Sequence, residues 1–454
     1  MVMGNRRAER QSALFVATEQ LARSPGHPFY ERLNGVLADE QFDAFVEELC
    51  VVFYADKMGR PSLAPGVYFR SLMVGFFEGI SSEREIAWRC ADSQSLSSFL
   101  GYGPTEATPT HVTLSKTRRL LDLETHREIF GWILSMLGRR GLLKGRTVAI
   151  DATTLEANAA MRSIVRRDSG QSYEGFLNDL AKASGIETPT REDRAKVDKK
   201  RKKKGSNDDW THPRDPDARI AKMKDGRTHL AHKVEHATDL DTTAIVSVTV
   251  QAADLGDTHT VYETLSEASD HLSQALPDGN GITDVVLDKG YHSNDVLTDL
   301  KDLEFRTYAS EPDRGRRLWK NKARARDAVY ANRRRIKGDR GQRLRKLRGE
   351  IAERSNAHCY ETGGLRRVHV RGRENVEKRV LIQAATYNLA LAMRALLGVG
   401  TPKGLLRRGT AAAGRLLASI RLWQPLGALL RWVITAIELL AKPERNQPTM
   451  TPAA

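Results

Sequence analysis

The chain has 454 residues, 40% of them hydrophobic and 28% charged, with a formal net charge of +15 and a sequence pI near 9.7. That length supports two or three domains with a sizeable core, and the composition excludes fibrous, collagen-like and low-complexity disordered chains. Cys50, Cys90 and Cys359 are scattered without CxxC spacing, which excludes a disulfide framework or cysteine zinc module and fits a reducing cytoplasm.

The opening stretch, MVMGNRRAERQSALF, lacks an apolar core of signal-peptide length, and residues 1–28 read as a tail. From Phe29 to Gly141 the pattern is helical. FYERLNGVLADEQFDAFVEELC carries apolar residues at helical spacing, the connector GRPSLAPG follows, and VYFRSLMVGFFEGIS resumes the helix. SSEREIAWRC begins with a serine N-cap pattern. TPTHVTLSKTRRLLD opens another helix, capped by Thr110 or Thr113, with Lys116, Arg118 and Arg119 in its early turns. Short helices ending in a basic, hydroxyl-rich one suggest an all-α, helix-turn-helix-like DNA-binding domain over 29–141, with those three residues as DNA contacts. Plain helical packing is the competing reading.

Near Thr147 the texture changes to α/β. RTVAID reads as a strand, HLAHKVEHATD and AIVSVTVQAAD as a hairpin turning at LDTT, and DTHTVYETLSEASDHLSQAL as a helix. TDVVLD, SNDVLTDLKDL and EFRTYAS follow as strand, helix and strand, before a helix bearing Glu353. This is the element order of a ribonuclease H-like catalytic domain, placed at 145–400 with insertions at about 155–224 and 312–345. The first insertion carries the run Lys199–Lys204 (KKRKKK), which suits either a phosphate-binding arm or a nuclear-localisation signal. Around the second, Arg314 to Arg348 holds sixteen Lys/Arg against Asp327 and Asp339, a local excess of +14. That points to a polyanion partner rather than general solubility, a solvated charged loop being the alternative. Residues 401–454 read as an amphipathic C-terminal tail. Its apolar part is broken by Arg421, Pro425 and Arg431, so no uncharged run there reaches the ~18 residues of a spanning helix, and no membrane is expected.

Two apolar runs end on acids, Asp151 and Asp288, and the later helix offers Glu353. Phosphodiester chemistry uses two divalent ions roughly 3.5–4 Å apart, one on the attacking and one on the leaving oxygen. Mg2+ prefers hard oxygen ligands, so a few carboxylates suffice. Each acid also has a plainer explanation as a turn, cap or surface ion-pair residue, and Glu350 and Glu361 compete with Glu353.

Longer segments carry a specific resemblance. RTVAIDATTLEANAAMRSIVRRDSG, VVLDKGYHS and RGEIAERSNAHCYETGGLRRVHVRGRENVEKRVLIQAATYNLALAMR resemble a DDE transposase of a bacterial insertion sequence. Upstream, GRPSLAPGVYFRSLMVGFFEGISSEREIAWRCADSQSLSSFLGY matches the N-terminal domain of one such group, so the likeness runs from about Phe29 to Gly404. It implies that Asp151, Asp288 and Glu353 are catalytic and bind two Mg2+ ions, with Mn2+ as substitute. The broader family often has an arginine four residues before the glutamate and a lysine seven after; here Gly349 and Tyr360 stand there, with Arg348 one step away and Arg366 and Arg367 beyond.

The resemblance further implies recognition of terminal inverted repeats, cleavage at the element's ends, and joining of the freed 3′-hydroxyl to target DNA. Lys199, Lys200, Arg201, Lys289, Arg348, Arg366 and Arg367 join the basic residues above as candidate DNA contacts. His292 and His358 are candidates to orient substrate. Paired ends imply a homodimer or larger assembly on DNA, and the setting is a bacterial cytoplasm, at the nucleoid when DNA-bound. An inactive or repurposed sequence-specific DNA-binding protein, and a structure-specific nuclease on the same fold, are the alternatives.

Overall fold

The computed structural model describes residues 17, 26–55, 62–201, 205–223, 225–313, 315 and 317–407. The chain divides into two units, Met1–Gly400 and Thr401–Ala454. The expected tail beyond 407 lies outside the described residues, as do Lys202–Lys204, Arg314, Arg316 and most of 1–28.

The N-terminal region is helical: α1 (Pro28–Asp39), α2 (Phe42–Cys50), α3 (Pro65–Glu78), α4 (Glu83–Ala91), α5 (Gln94–Phe99), α6 (His111–Leu120) and α7 (Leu123–Arg139). The single helical pattern read over 29–50 is broken where Gln41 takes φ 58°, giving α1 and α2. Four helix starts follow one rule: Ser82, Ser93, Thr110 and Asp122 each accept from the backbone N–H three residues on. Such caps satisfy donors that a short helix otherwise leaves exposed. α3 is buried almost all round and serves as the core of this region.

The α/β part contains β1 (Thr147–Glu156), β2 (Val165–Arg166), α8 (Tyr173–Ala183), α9 (Arg191–Lys200), β3 (Trp210–Thr211), β4 (Arg219–Lys222), β5 (Thr228–Asp239), β6 (Ile245–Ala252), α10 (Asp257–Ala275), β7 (Asp284–Leu287), α11 (Asn294–Asp302), β8 (Arg306–Ala309), α12 (Ala323–Lys337), α13 (Asp339–Ala357) and α14 (Arg373–Leu397). The main sheet runs β5–β1–β7–β8, with β6 and β4 both paired to β5. β1, β5 and β6 are antiparallel, whereas β1, β7 and β8 are parallel. This is the mixed order expected from the sequence.

The sheet is covered on both faces, and the paired parts of β1 and β7, Val148–Ile150 and Val285–Leu287, read as continuous apolar runs. On one face Ala149 packs with Leu344, Ile351 and Ala352 of α13. On the other, α10 lies against β5 and β6. α14 is buried continuously from Val376 to Met393 and packs on α7, α3 and β6, so the helical region and the sheet share one core. Gly364 lies against the turn after α3, beside Gly79 and Ile80: its φ is +77°, and a Cβ there would stand 2.4 Å from the Gly79 carbonyl oxygen.

The first insertion is a small folded unit. β2 pairs with β3, and Trp210, Ile164, Ala157 and Ala218 cluster with Leu230 of β5. The arginine-rich window is not a loose loop: most of its described residues lie in α12 and the start of α13. Several of its charges are satisfied internally, Arg317 and Arg333 on Glu311, and Arg340 on Asp284.

Candidate active site

β1 runs five residues past Asp151, so this acid lies mid-strand rather than at a strand end as the sequence suggested. The neighbour strand ends instead. β7 pairs with β1 up to Ile150↔Leu287 and stops, so Asp151 and Asp288 each directly follow the last paired residue of their segments. Both carboxylates meet one guanidinium: Arg348 Nη1 is 3.5 Å from Asp151 Oδ1, and Arg348 Nη2 is 3.4 Å from Asp288 Oδ1. The Arg348 side chain is 13% exposed, against 21% for Asp151 and 42% for Asp288. The pair is thus open to solvent on one side and backed by a cation on the other. Asn356 Nδ2 donates to the second Asp151 oxygen at 2.9 Å.

α13 therefore presents Arg348 and Asn356 to the acids. At about 100° per residue Asn356 lies roughly 80° around the helix from Arg348, and Glu353 about 140° around. Glu353 is exposed, as is Glu350. Glu361 pairs with Arg366, which also donates to Thr153 on β1. Among the described residues no three His, Cys, Asp or Glu side chains gather as a metal-holding cluster. The structure thus brings together two of the three expected acids. The placement of Glu353 could not be read from sequence, because it depends on which face α13 turns to the sheet.

α13 ends in a π-helical turn, His358–Thr362, a feature common at functional sites. Within it the Tyr360 hydroxyl bonds Nε2 of His236, the residue opposite Asp151 on β5. Burial pushes His236 down to about 3 and holds it neutral. His292 is buried and His358 packs beside Tyr387.

The basic candidates differ in availability. Lys116, Arg119, Lys199, Lys200 and Lys289 are exposed, the last directly after Asp288. Arg118 is occupied internally by Glu83 at 2.7 Å and Asn375 at 2.6 Å, tying α6 to α4 and α14. Arg201 pairs with Asp198 at 2.8 Å and stacks on Tyr173 and Phe176. Arg367 lies 3.6 Å from Glu156 and stays 56% exposed.

The donor set suits a divalent cation. Two carboxylate oxygens already converge on a single positive group. Hard oxygen donors of this kind match hard divalent cations.

Comparison with known proteins identifies the family. Residues 143–389, more than half of the chain, match the family described as transposase DDE domain, and residues 17–120 match the transposase domain DUF772. No curated protein matches the chain. Among solved structures, the Mos1 transposase paired-end complex with left transposon end is similar at 12% identity, over 68% of this chain and 82% of that one, with a TM-score of 0.19.

Proposed function

The chain belongs to the transposase DDE-domain family, and from that premise we propose that it binds the inverted repeats of an insertion sequence and catalyses metal-dependent DNA cleavage and strand transfer. The observation that carries this reading is that Asp151 and Asp288, each directly after the last β1–β7 pair, Ile150 and Leu287, converge on the Arg348 guanidinium.

In this reading Asp151 and Asp288 hold two Mg2+ ions, with Mn2+ as substitute. When bound, such ions activate the attacking oxygen and neutralise the leaving one. The chain itself supplies no nucleophile: water, then the 3′-hydroxyl, attacks. Arg348 holds the carboxylates together beforehand and turns to phosphate when DNA arrives. Lys289 and the exposed Lys116, Arg119, Lys199 and Lys200 contact phosphates, with Arg366 and Arg367 beside the acids. α4 to α6 act as the helix-turn-helix-like end-recognition element, and two copies pair the two ends.

Glu353 is the third acid of this reading and has to turn toward the pair. A π-helical turn holds one residue more than an α turn. Moving that residue toward the N-terminus of α13 carries Glu353 into the place of Ala352, which packs against the sheet, and withdraws Arg348.

The test is cleavage of DNA carrying the element's ends, with Mg2+ or Mn2+. Asp151→Ala and Asp288→Ala are each expected to lose roughly 10³-fold or more in cleavage while still binding DNA. Full cleavage by either variant would overturn the assignment, and full activity in Glu353→Ala would redirect the third role to Glu350 or Glu361. The outward Glu353 favours one other reading, a repurposed sequence-specific DNA-binding protein. Specific binding by the unmodified chain, with no metal-dependent cutting, would establish that instead.

A further inference from the structure

Beneath the acid pair, on the α10 face of the sheet, lies a buried polar network that the proposed chemistry does not use. Asp288 is followed by a single 3₁₀ turn, Lys289–Tyr291. Tyr291 is 1% exposed, and its hydroxyl donates to Glu235 Oε1 at 2.8 Å. Glu235 belongs to β5, two strands away, and is fully buried. It pairs in register with Ala152, the residue after Asp151. The same Oε1 accepts from Thr260 at 2.7 Å, and Oε2 accepts from Thr264 at 2.6 Å, both on α10. Lys233 stands 4.0 Å from Glu235 and donates to Asp257 at 2.6 Å and Thr260 at 2.9 Å.

Asp257 closes the network from below. A Cβ on Gly290 would lie 2.3 Å from Asp257 Oδ2, so the turn seats directly on the first residue of α10. A carboxylate with this many donors, in a site where burial opposes charge, is costly to assemble. Burial raises the Glu235 carboxyl, and burial with the Glu235 charge raises the Tyr291 phenol well above its ordinary value, so this phenol acts as a donor.

We propose that Glu235 and Tyr291 are positioning residues: their hydrogen bond fixes the turn that carries Asp288, and so sets the Asp288 carboxylate against Asp151. This rests on the reading of the two aspartates as the metal-holding pair. β7 stops at Leu287, so Asp288 has no strand pairing of its own to hold it. The Tyr291 anchor, three residues on, does that work across the sheet from β5.

The experiment measures binding of Mn2+ alone to the full-length protein, by electron paramagnetic resonance titration, with melting temperatures in parallel. Tyr291→Phe keeps the ring and removes only the hydroxyl. Its Mn2+ affinity is expected to fall roughly 10- to 100-fold, the usual effect of removing a group that orients a metal ligand. Glu235→Gln retains an acceptor for Tyr291 and is expected to fall less than Glu235→Ala. Tyr68→Phe serves as control, because it deletes a buried hydroxyl that bonds His126 in the helical region; its Mn2+ affinity is expected to match the parent.

Parental Mn2+ affinity in a folded Tyr291→Phe overturns the proposal, and so does an equal loss in Tyr68→Phe. If Tyr291→Phe does not fold, the order of Glu235→Gln and Glu235→Ala decides. Parental binding by Asp288→Ala removes the metal-site reading itself. Loss in Asp288→Ala with none in Tyr291→Phe removes only the positioning role.

Discussion

Glu267→Gln is expected to stabilise the protein at pH 8 and leave it nearly unchanged at pH 5. Glu267 sits on α10 against Arg127 of α7, whose Nη2 is 3.4 Å away. Arg127 also serves Glu377 of α14 at 2.7 Å and Glu124 at 3.6 Å, so one cation faces three acids. Burial first, then the charges of Glu377, Glu263 and Glu124, push the Glu267 carboxyl up to about 7 despite Arg127. Its folded value lies above its unfolded value near 4.5, so the folded state binds the extra proton between those pH values. Stability therefore falls as pH rises through that window and stays reduced above it. Carrying a carboxyl from 4.5 to about 7 costs the ionised folded state about 3 kcal/mol, and partial exposure of the side chain trims this to about 2–3 kcal/mol. For cooperative unfolding of the unit Met1–Gly400 that is roughly 3 °C in melting temperature. Thermal melts of parent and variant at pH 5, 6, 7 and 8 test it. Equal melting temperatures at pH 8, or the same gain at pH 5 as at pH 8, would refute the argument that an ionised Glu267 strains this three-helix junction.

Arg348→Ala leaves the two converging carboxylates without their cation, a loss of about 1–2 kcal/mol for a partly buried pair. Its melting temperature is expected to fall in the absence of metal and to rise more on adding Mn2+ than the parent's does; equal Mn2+ increments would contradict this. Gly290→Ala drives a methyl group into Asp257 and is expected to cost about 1–3 kcal/mol, as overpacking does. Gly349→Ala, where nothing lies within 4 Å, is expected to stabilise α13 by about 0.5–1 kcal/mol through helix propensity. Chemical denaturation of the two alanine variants checks the contrast, which fails if both move the same way.

Elements governed by local rules were legible in the chain itself. The caps at Ser82 and Thr110 lie where hydroxyls precede helical patterns, because a short side chain beside three free N–H groups needs nothing from elsewhere. The hairpin of β5 and β6, the helix α10 and the strand β7 follow from period and composition. The DKGY motif marked Asp288, and the apolar run before it marked Asp151. Yet the same reading placed a strand end at Asp151, because β1 continues through residues whose pairing partner, β5, comes some eighty positions later.

What the sequence determined, then, is the order of the elements, the family that their motifs match and the acids that are candidates for the site. Tertiary structure decided the rest, since register and helix rotation depend on distant surfaces rather than on neighbours in the chain. The parallel pairing of β1 and β7 sets Asp151 beside Asp288. Packing of Leu344, Ile351 and Ala352 against the sheet turns Arg348 and Asn356 inward and leaves Glu353 outside. The Glu235–Tyr291 bond was invisible for the same reason: its ends lie 56 residues apart, and only the folded sheet stacks one beneath the turn that carries the other.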